Sequence, residues 1–353
     1  MDSTARLWRV SAGAAATPIL ALGLLVVVLA TAEVMARSAI VRGSLPAPSI
    51  GSPSRLLEVQ RAGLAAQSEA EGGVDCVFLG NSLVLFGVDP AAFASEFAAR
   101  TGTPVRCFNF AVSALSVSQV APIARILAED YRPRWLIYGL TKRDFNAGDD
   151  GPAIESIPWI RYRLGEPSLD GWLAQHSLLY GYSLMAATRD GVTGGADDFT
   201  GRLRRGFFPV APASILREAD VERARVLLLH QVELPESEER MRALEELFEL
   251  RSSGVRIVLL EMPVHLAPTQ WPPAATIAYA AVIDRVKRRA AAEGVPFWTS
   301  PPELIPSDGW FDLWHLNTKG AEAFSRWLGE RAASAVQHGE IPSLGSAGSP
   351  PPA

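Results

Sequence analysis

Cysteine is nearly absent from this chain. Two residues among 353, Cys76 and Cys107, exclude a disulfide scaffold and a multi-cysteine metal centre. A basic excess is missing too. With 33 Lys and Arg against 38 Asp and Glu, the net charge is -5, and no basic stripe runs along the sequence, so nucleic acid is not an expected partner. Of only five histidines, His176 and His230 stand outside any recognisable metal-ligand spacing. There is no internal repeat. Long apolar runs are lacking except for one, residues 13–32, which carries no charge before Glu33 and is preceded by Arg6 and Arg9. About 20 apolar residues can cross a bilayer as a helix, and arginines on its N-terminal side hold that side in the cytoplasm. The rest of the chain is then exported. A cleaved signal peptide, with Ala30-Thr31-Ala32 as the cleavage site, is the rival reading, and a buried core helix is the third.

These features divide the chain into a cytoplasmic segment at 1–12, a transmembrane signal anchor at 13–33, and a linker rich in Pro, Gly and Ser at 34–55. A soluble domain at 56–335 and a tail at 336–353, expected to be disordered, follow. Within the soluble domain, short apolar runs alternate with longer helical patterns, which argues for parallel βαβ units. Strands are expected at 74–79, 105–110, 135–140, 255–260 and 295–298, with the first at the centre of the sheet. Helices are expected at 90–100, 116–130, 237–251 and 273–293, with a last one from Thr318. Residues 147–235 break the alternation and read as an inserted helical cap. Its Trp159, Tyr162, Tyr180 and Tyr182 serve either to pack the cap or to stack on sugar rings. The two cysteines lie near the starts of the first two strands, either as small buried side chains or, in an exported protein, as a bridge.

The chemistry-bearing residues fall after the strands. Open α/β sheets bind ligands at the carboxyl ends of their strands, so these loops converge on one crevice. Ser82 follows the first strand in Leu79-Gly80-Asn81-Ser82-Leu83. Asp312 and His315 follow the fifth, three residues apart, in Asp312-Leu313-Trp314-His315-Leu316-Asn317. An Asp on the same turn can fix an imidazole tautomer, and that imidazole can take a proton from a serine.

On these residues the chain resembles the SGNH (GDSL-like) superfamily of serine hydrolases and acyltransferases. The segment 77–83 is similar to its first block, with Asn81 where Asp is commoner. Residues 108–114 are similar to its second, with Ala114 where Gly is usual, and 312–317 to its last. The resemblance implies a flavodoxin-like three-layer α/β fold with Ser82 as nucleophile, His315 as base and Asp312 as the orienting acid. The N–H groups of Ser82 and Ala114 would hold the oxyanion. The third block departs from the pattern: in Gly139-Leu140-Thr141-Lys142-Arg143-Asp144-Phe145-Asn146, Thr141 stands where an oxyanion-binding Asn is usual. Thr141 is then the expected third donor, or Asn146 reaching back. Asn81, Asn146 and His265 are the expected substrate contacts, and Arg143 with Asp144 reads first as a structural ion pair. Asn317 or Thr318 is expected to cap the last helix. The resemblance further implies an acylated carbohydrate as substrate, association with envelope polysaccharide machinery, and no metal or organic cofactor. A catalytically weak binding or scaffold component of such machinery is the alternative.

Overall fold

The computed structural model describes residues 12–37, 53–148, 153–181, 203–211, 226, 229–230, 234–265 and 272–342. Tyr182, much of the insertion, most of the linker and the tail beyond 342 lie outside the described residues.

The first element, α1 (Ala12–Arg37), contains Thr17–Ala36, a stretch long and apolar enough to cross a membrane. Then come α2 (Pro53–Glu71), β1 (Cys76–Leu79), α3 (Ser82–Gly87), α4 (Pro90–Thr101), β2 (Cys107–Asn109), α5 (Val117–Tyr131) and β3 (Trp135–Leu140). The insertion supplies α6 (Pro158–Arg163) and α7 (Leu169–His176). Regular alternation resumes with α8 (Glu238–Glu249), β4 (Arg256–Glu261), α9 (Pro273–Ala292), β5 (Phe297–Thr299) and α10 (Thr318–Gln337).

The five strands are all parallel, in the order β2-β1-β3-β4-β5. This is the flavodoxin-like order. The central strand is β3; β1, expected at the centre, lies beside it, flanked on both sides. Stepping from β1 to β2 and then back past β1 to β3 reverses direction. Right-handed crossovers therefore put α4 and α5 on opposite faces. Helix α10 packs on α4 and α8 packs on α5, completing three layers. The crevice where the order reverses lies at the carboxyl ends of β1 and β3, which are followed by Ser82 and Thr141.

Strands buried on both faces need unbroken apolar runs, and β1, β2 and β3 are buried at every residue. Asp89 caps α4, its carboxylate accepting from Ala91 N–H at 2.8 Å, and Gly102 ends that helix in the left-handed conformation. Helix α2 was not expected. It buries Leu56, Leu57, Gln60 and Leu64 and holds the insertion in place: the Arg61 guanidinium donates to Ala174 O at 3.0 Å and lies 4.8 Å over the ring of Trp159. Trp159 is fully buried, so it packs the cap. The ordered domain also runs past the expected boundary at 335, because Ile341 is buried and Glu340 pairs with Arg331.

Cys76 and Cys107 face each other in register across β1 and β2, with Cα atoms 4.6 Å apart, and form a disulfide. The bridge encloses α3 and α4. In the chain-entropy picture, closing a loop of this size stabilises the fold by about 3–4 kcal/mol. Replacing both cysteines with alanine should lower the free energy of denaturant unfolding by about that amount, and reductant should reproduce the loss in the native chain. Identical unfolding curves with and without reductant would mean the two thiols are not joined.

Candidate active site

Strand β1 ends at Leu79, and the chain turns through Gly80 at φ +149°. A Cβ on Gly80 would meet Val84 Cγ2 at 2.5 Å and Gly139 O at 2.7 Å; one on Gly139 would meet the same methyl at 2.4 Å. The two glycines thus let α3 lie directly across β1 and β3. Asn81 caps α3, its Oδ1 accepting from Leu83 N–H at 2.9 Å. The other end is tied down by Asn109, at the end of β2, whose Nδ2 donates to Val84 O and Val88 O at 2.8 Å each. Ser82 is the first residue of a short helix fixed at both ends.

The acid and base come from the loop after β5. A bridge between Trp310 and Leu316 pinches this loop, and Phe311 N–H donates to His315 O at 2.8 Å. Asn317 caps α10 through Lys319 N–H and Gly320 N–H, and its Nδ2 donates back to Asp308 O at 2.7 Å. Between these anchors Asp312 Oδ1 accepts from the N–H groups of Trp314 and His315, both at 2.7 Å. Asp312 Oδ2 lies 2.8 Å from His315 Nδ1. A carboxylate only accepts, so Nδ1 carries the proton and Nε2 is left with a lone pair. Ser82 Oγ lies 2.9 Å from Nε2 and donates to it. Burial works to raise the Asp312 carboxyl, but the hydrogen bond and charge of His315 and the two N–H donors outweigh it and hold the group below its ordinary value. The ring of Phe86 stands edge-on to His315 at 4.9 Å.

The loop after β2 is drawn to the same place. Val112 N–H donates to Gly80 O at 3.1 Å, and two residues on Ala114 adopts φ +66°, a left-handed conformation that a Cβ disfavours. Among the described residues, the N–H groups of Ser82 and Ala114 donate to no protein acceptor. The arrangement can move a proton from a serine hydroxyl to an imidazole.

The remaining expected contacts turn inward. Asn81, Thr141 and Asn146 are all buried. Asp144, completely buried after β3, gathers the donors of the first two. It accepts from Thr141 N–H at 2.8 Å, Thr141 Oγ at 3.3 Å, Tyr138 Oη at 2.9 Å and Asn81 Nδ2 at 3.3 and 3.4 Å. Burial raises its carboxyl, with the Thr141 and Tyr138 donors pulling it back only in part. The Thr141 hydroxyl is therefore directed to Asp144, not free to serve the oxyanion. Asn146 Oδ1 accepts from Lys142 Nζ at 2.8 Å. Both side chains are spent on the fold: after β3 the chain enters a short 3-10 helix, Lys142–Phe145, that packs against α8 and α9. His265 lies beside the acid–base loop: its N–H donates to Leu313 O at 3.2 Å, and its ring meets Trp310 edge-on at 5.2 Å. Burial lowers its pKa. The positioning roles of Asn109 and Asp144 were not foreseen; a polar residue closing an apolar strand, as Asn109 does, was the available signal. A cavity of about 580 Å³, lined by residues that include Ala36, Arg61, Trp159 and His176, lies between α2, α5 and the insertion and contains no member of the Ser82 cluster.

No protein-family model matches the chain, and no curated protein matches it by sequence. Among solved structures it is similar to a GDSL-like lipase from Bacteroides thetaiotaomicron, with 12% identity over 80% of this chain and 99% of that one and a TM-score of 0.35. It is also similar to a lipase/acylhydrolase from Enterococcus faecalis, with 11% identity over 78% and 100% and a TM-score of 0.34. A third is TesA, with 13% identity over 73% and 98% and a TM-score of 0.34. Overlaps this distant carry no argument about chemistry.

Two substitutions probe the frame. Ala114→Gly removes the left-handed penalty of about 1–2 kcal/mol and loses part of it to the freer unfolded chain, for a net stabilisation of about 0.5–1 kcal/mol. Thermal unfolding reads this directly, and a lower Tm would contradict the strained geometry. Asp144→Ala strands the buried donors of Asn81, Thr141 and Tyr138 and should cost about 3 kcal/mol or more. A loss under about 1 kcal/mol in denaturant unfolding would show that these groups are satisfied elsewhere.

Proposed function

We propose that this chain is a serine esterase or O-acyltransferase of SGNH type, held at a membrane by α1 and acting on ester-linked acyl groups, with acetyl esters of an envelope or exported polysaccharide as the substrate class. The observation that carries this reading is the continuous relay from Ser82 Oγ to His315 Nε2 at 2.9 Å and from His315 Nδ1 to Asp312 at 2.8 Å.

In the proposed reaction Ser82 Oγ attacks the acyl carbonyl while its proton passes to His315 Nε2. Asp312 stabilises the imidazolium that forms. The N–H groups of Ser82 and Ala114 bind the oxyanion. The departing alkoxide takes the proton from His315 as the tetrahedral intermediate collapses, leaving an acyl-serine. Water or a glycan hydroxyl, deprotonated by His315, then attacks the acyl-serine. The second tetrahedral intermediate collapses with cleavage of the Ser82 Oγ–acyl bond, and Ser82 takes back the proton from His315. The product is the free acid when water attacks or a new ester when the hydroxyl does. The scheme requires no metal or organic cofactor. His265, whose N–H bonds the acid–base loop at Leu313 O, is the proposed substrate contact.

Export rests on two independent features. Arg6 and Arg9 precede the apolar run, and the Cys76–Cys107 bridge suits an oxidising compartment. The non-catalytic alternative has one observation in its favour: the Thr141 hydroxyl is taken by Asp144. Losing a single oxyanion donor lowers rates by about 100- to 1,000-fold.

A fluorophosphonate probe should label the full chain, and Ser82→Ala should abolish labelling. Asp312→Asn should lower turnover of an aryl acetate by on the order of 10⁴-fold, because the amide stabilises the wrong imidazole tautomer. Equal turnover in the native chain and in Ser82→Ala would overturn the catalytic reading in favour of the binding one.

A further inference from the structure

Outside α1, large apolar side chains are exposed at eight described positions, and five of them, Leu164, Leu169, Trp172, Leu178 and Leu179, fall within one short stretch of the insertion. Clusters of this kind mark interaction surfaces. Their neighbour identifies the partner. Glu33 is the first charge after the apolar run, so in a membrane-spanning α1 it marks the level at which the helix leaves the hydrocarbon. Its carboxylate accepts from Ser177 Oγ at 2.8 Å, Leu178 N–H at 3.0 Å and Leu179 N–H at 3.2 Å. Ala36, one turn further on, is buried. Hydrogen bonds of this length hold residues 177–179 at the depth of Glu33, which for a membrane-spanning α1 is the bilayer surface.

We infer that α7 and residues 177–179 after it form a seat on the lipid surface, with Leu169, Trp172, Leu178 and Leu179 entering the interfacial region of the bilayer. This inference rests on the reading of α1 as an anchor. Leu169 is 74% and Trp172 46% exposed. Tryptophan concentrates at membrane interfaces because its ring is apolar while its N–H seeks water. The seat and the span are continuous through Glu33, so a single bilayer covers both. The domain that carries Ser82 is then held against the membrane surface, and the insertion acquires a role besides packing on α2.

The test uses the full chain in vesicles of phosphatidylethanolamine and phosphatidylglycerol. A benzophenone amino acid is placed at Trp172, at Leu179 or, as a control, at Ile277, which is exposed on α9. After irradiation, lipid adducts at positions 172 and 179 should exceed those at 277 by about fivefold or more. Equal yields at all three positions, or adducts to protein alone, overturn the seat. Flotation of the same vesicles after a urea wash reports on the anchor separately. A chain that floats without lipid adducts at 172 and 179 keeps its anchor and loses the seat; a chain that no longer floats loses both.

Discussion

The Asp144 carboxylate is the constraint on which the candidate site depends. A carboxyl group taken fully out of water is costly unless its oxygens find hydrogen-bond partners. Here the donors come from three directions: Tyr138 within β3, Thr141 at the turn after it, and Asn81 at the turn after β1. Meeting all three together ties the end of β1 to the end of β3. Asn81 is in turn the cap that starts α3, so the helix carrying Ser82 begins where the buried carboxylate dictates. Networks of this kind are worth having when complete and harmful when partly satisfied, which gives the nucleophile a fixed address rather than a mobile loop.

The second constraint is steric. Val84 of α3 presses into the space left by two missing Cβ atoms, at Gly80 and Gly139, and Asn109 grips the carbonyls at the far end. With the short helix clamped from below and behind, the 2.9 Å contact between Ser82 and His315 does not depend on substrate to form. Preorganisation of this sort limits the reorganisation that a reaction must otherwise accomplish.

The outline of the fold was legible because parallel strands buried on both faces must be continuous apolar runs, and the helices between them carry strong stop signals such as Gly102 and Gly254. The acid–base turn was legible because an i,i+3 Asp–His spacing is a local property. What escaped notice depended on tertiary placement. Helix α2 has a broken apolar pattern beside a Pro- and Ser-rich connector, and it is stabilised by packing under the insertion. Asn81, Thr141 and Asn146 have the chemistry of substrate contacts, but whether a polar side chain faces the crevice or the core is decided by neighbours distant in sequence. Asp144, 63 residues from Asn81 along the chain, is the neighbour that turned two of them inward. The cysteine pair shows the same limit. Each lay near a strand start in the sequence, but only the register of β1 against β2 brings them opposite one another.

Ala114 bears on what the site is for. A left-handed alanine costs about 1–2 kcal/mol relative to ordinary backbone. Most of the left-handed residues in the described chain are glycines, so the fold has an inexpensive means of making such turns and does not use it here. The turn is nonetheless held, by Val112 N–H on Gly80 O and by the buried run that follows, and among the described residues neither the Ala114 N–H nor that of Ser82 donates to a protein acceptor. The proposed chemistry would use that strained turn, tied to the strand end that carries the serine, and with Thr141 committed to Asp144 the two backbone donors are the ones it rests on.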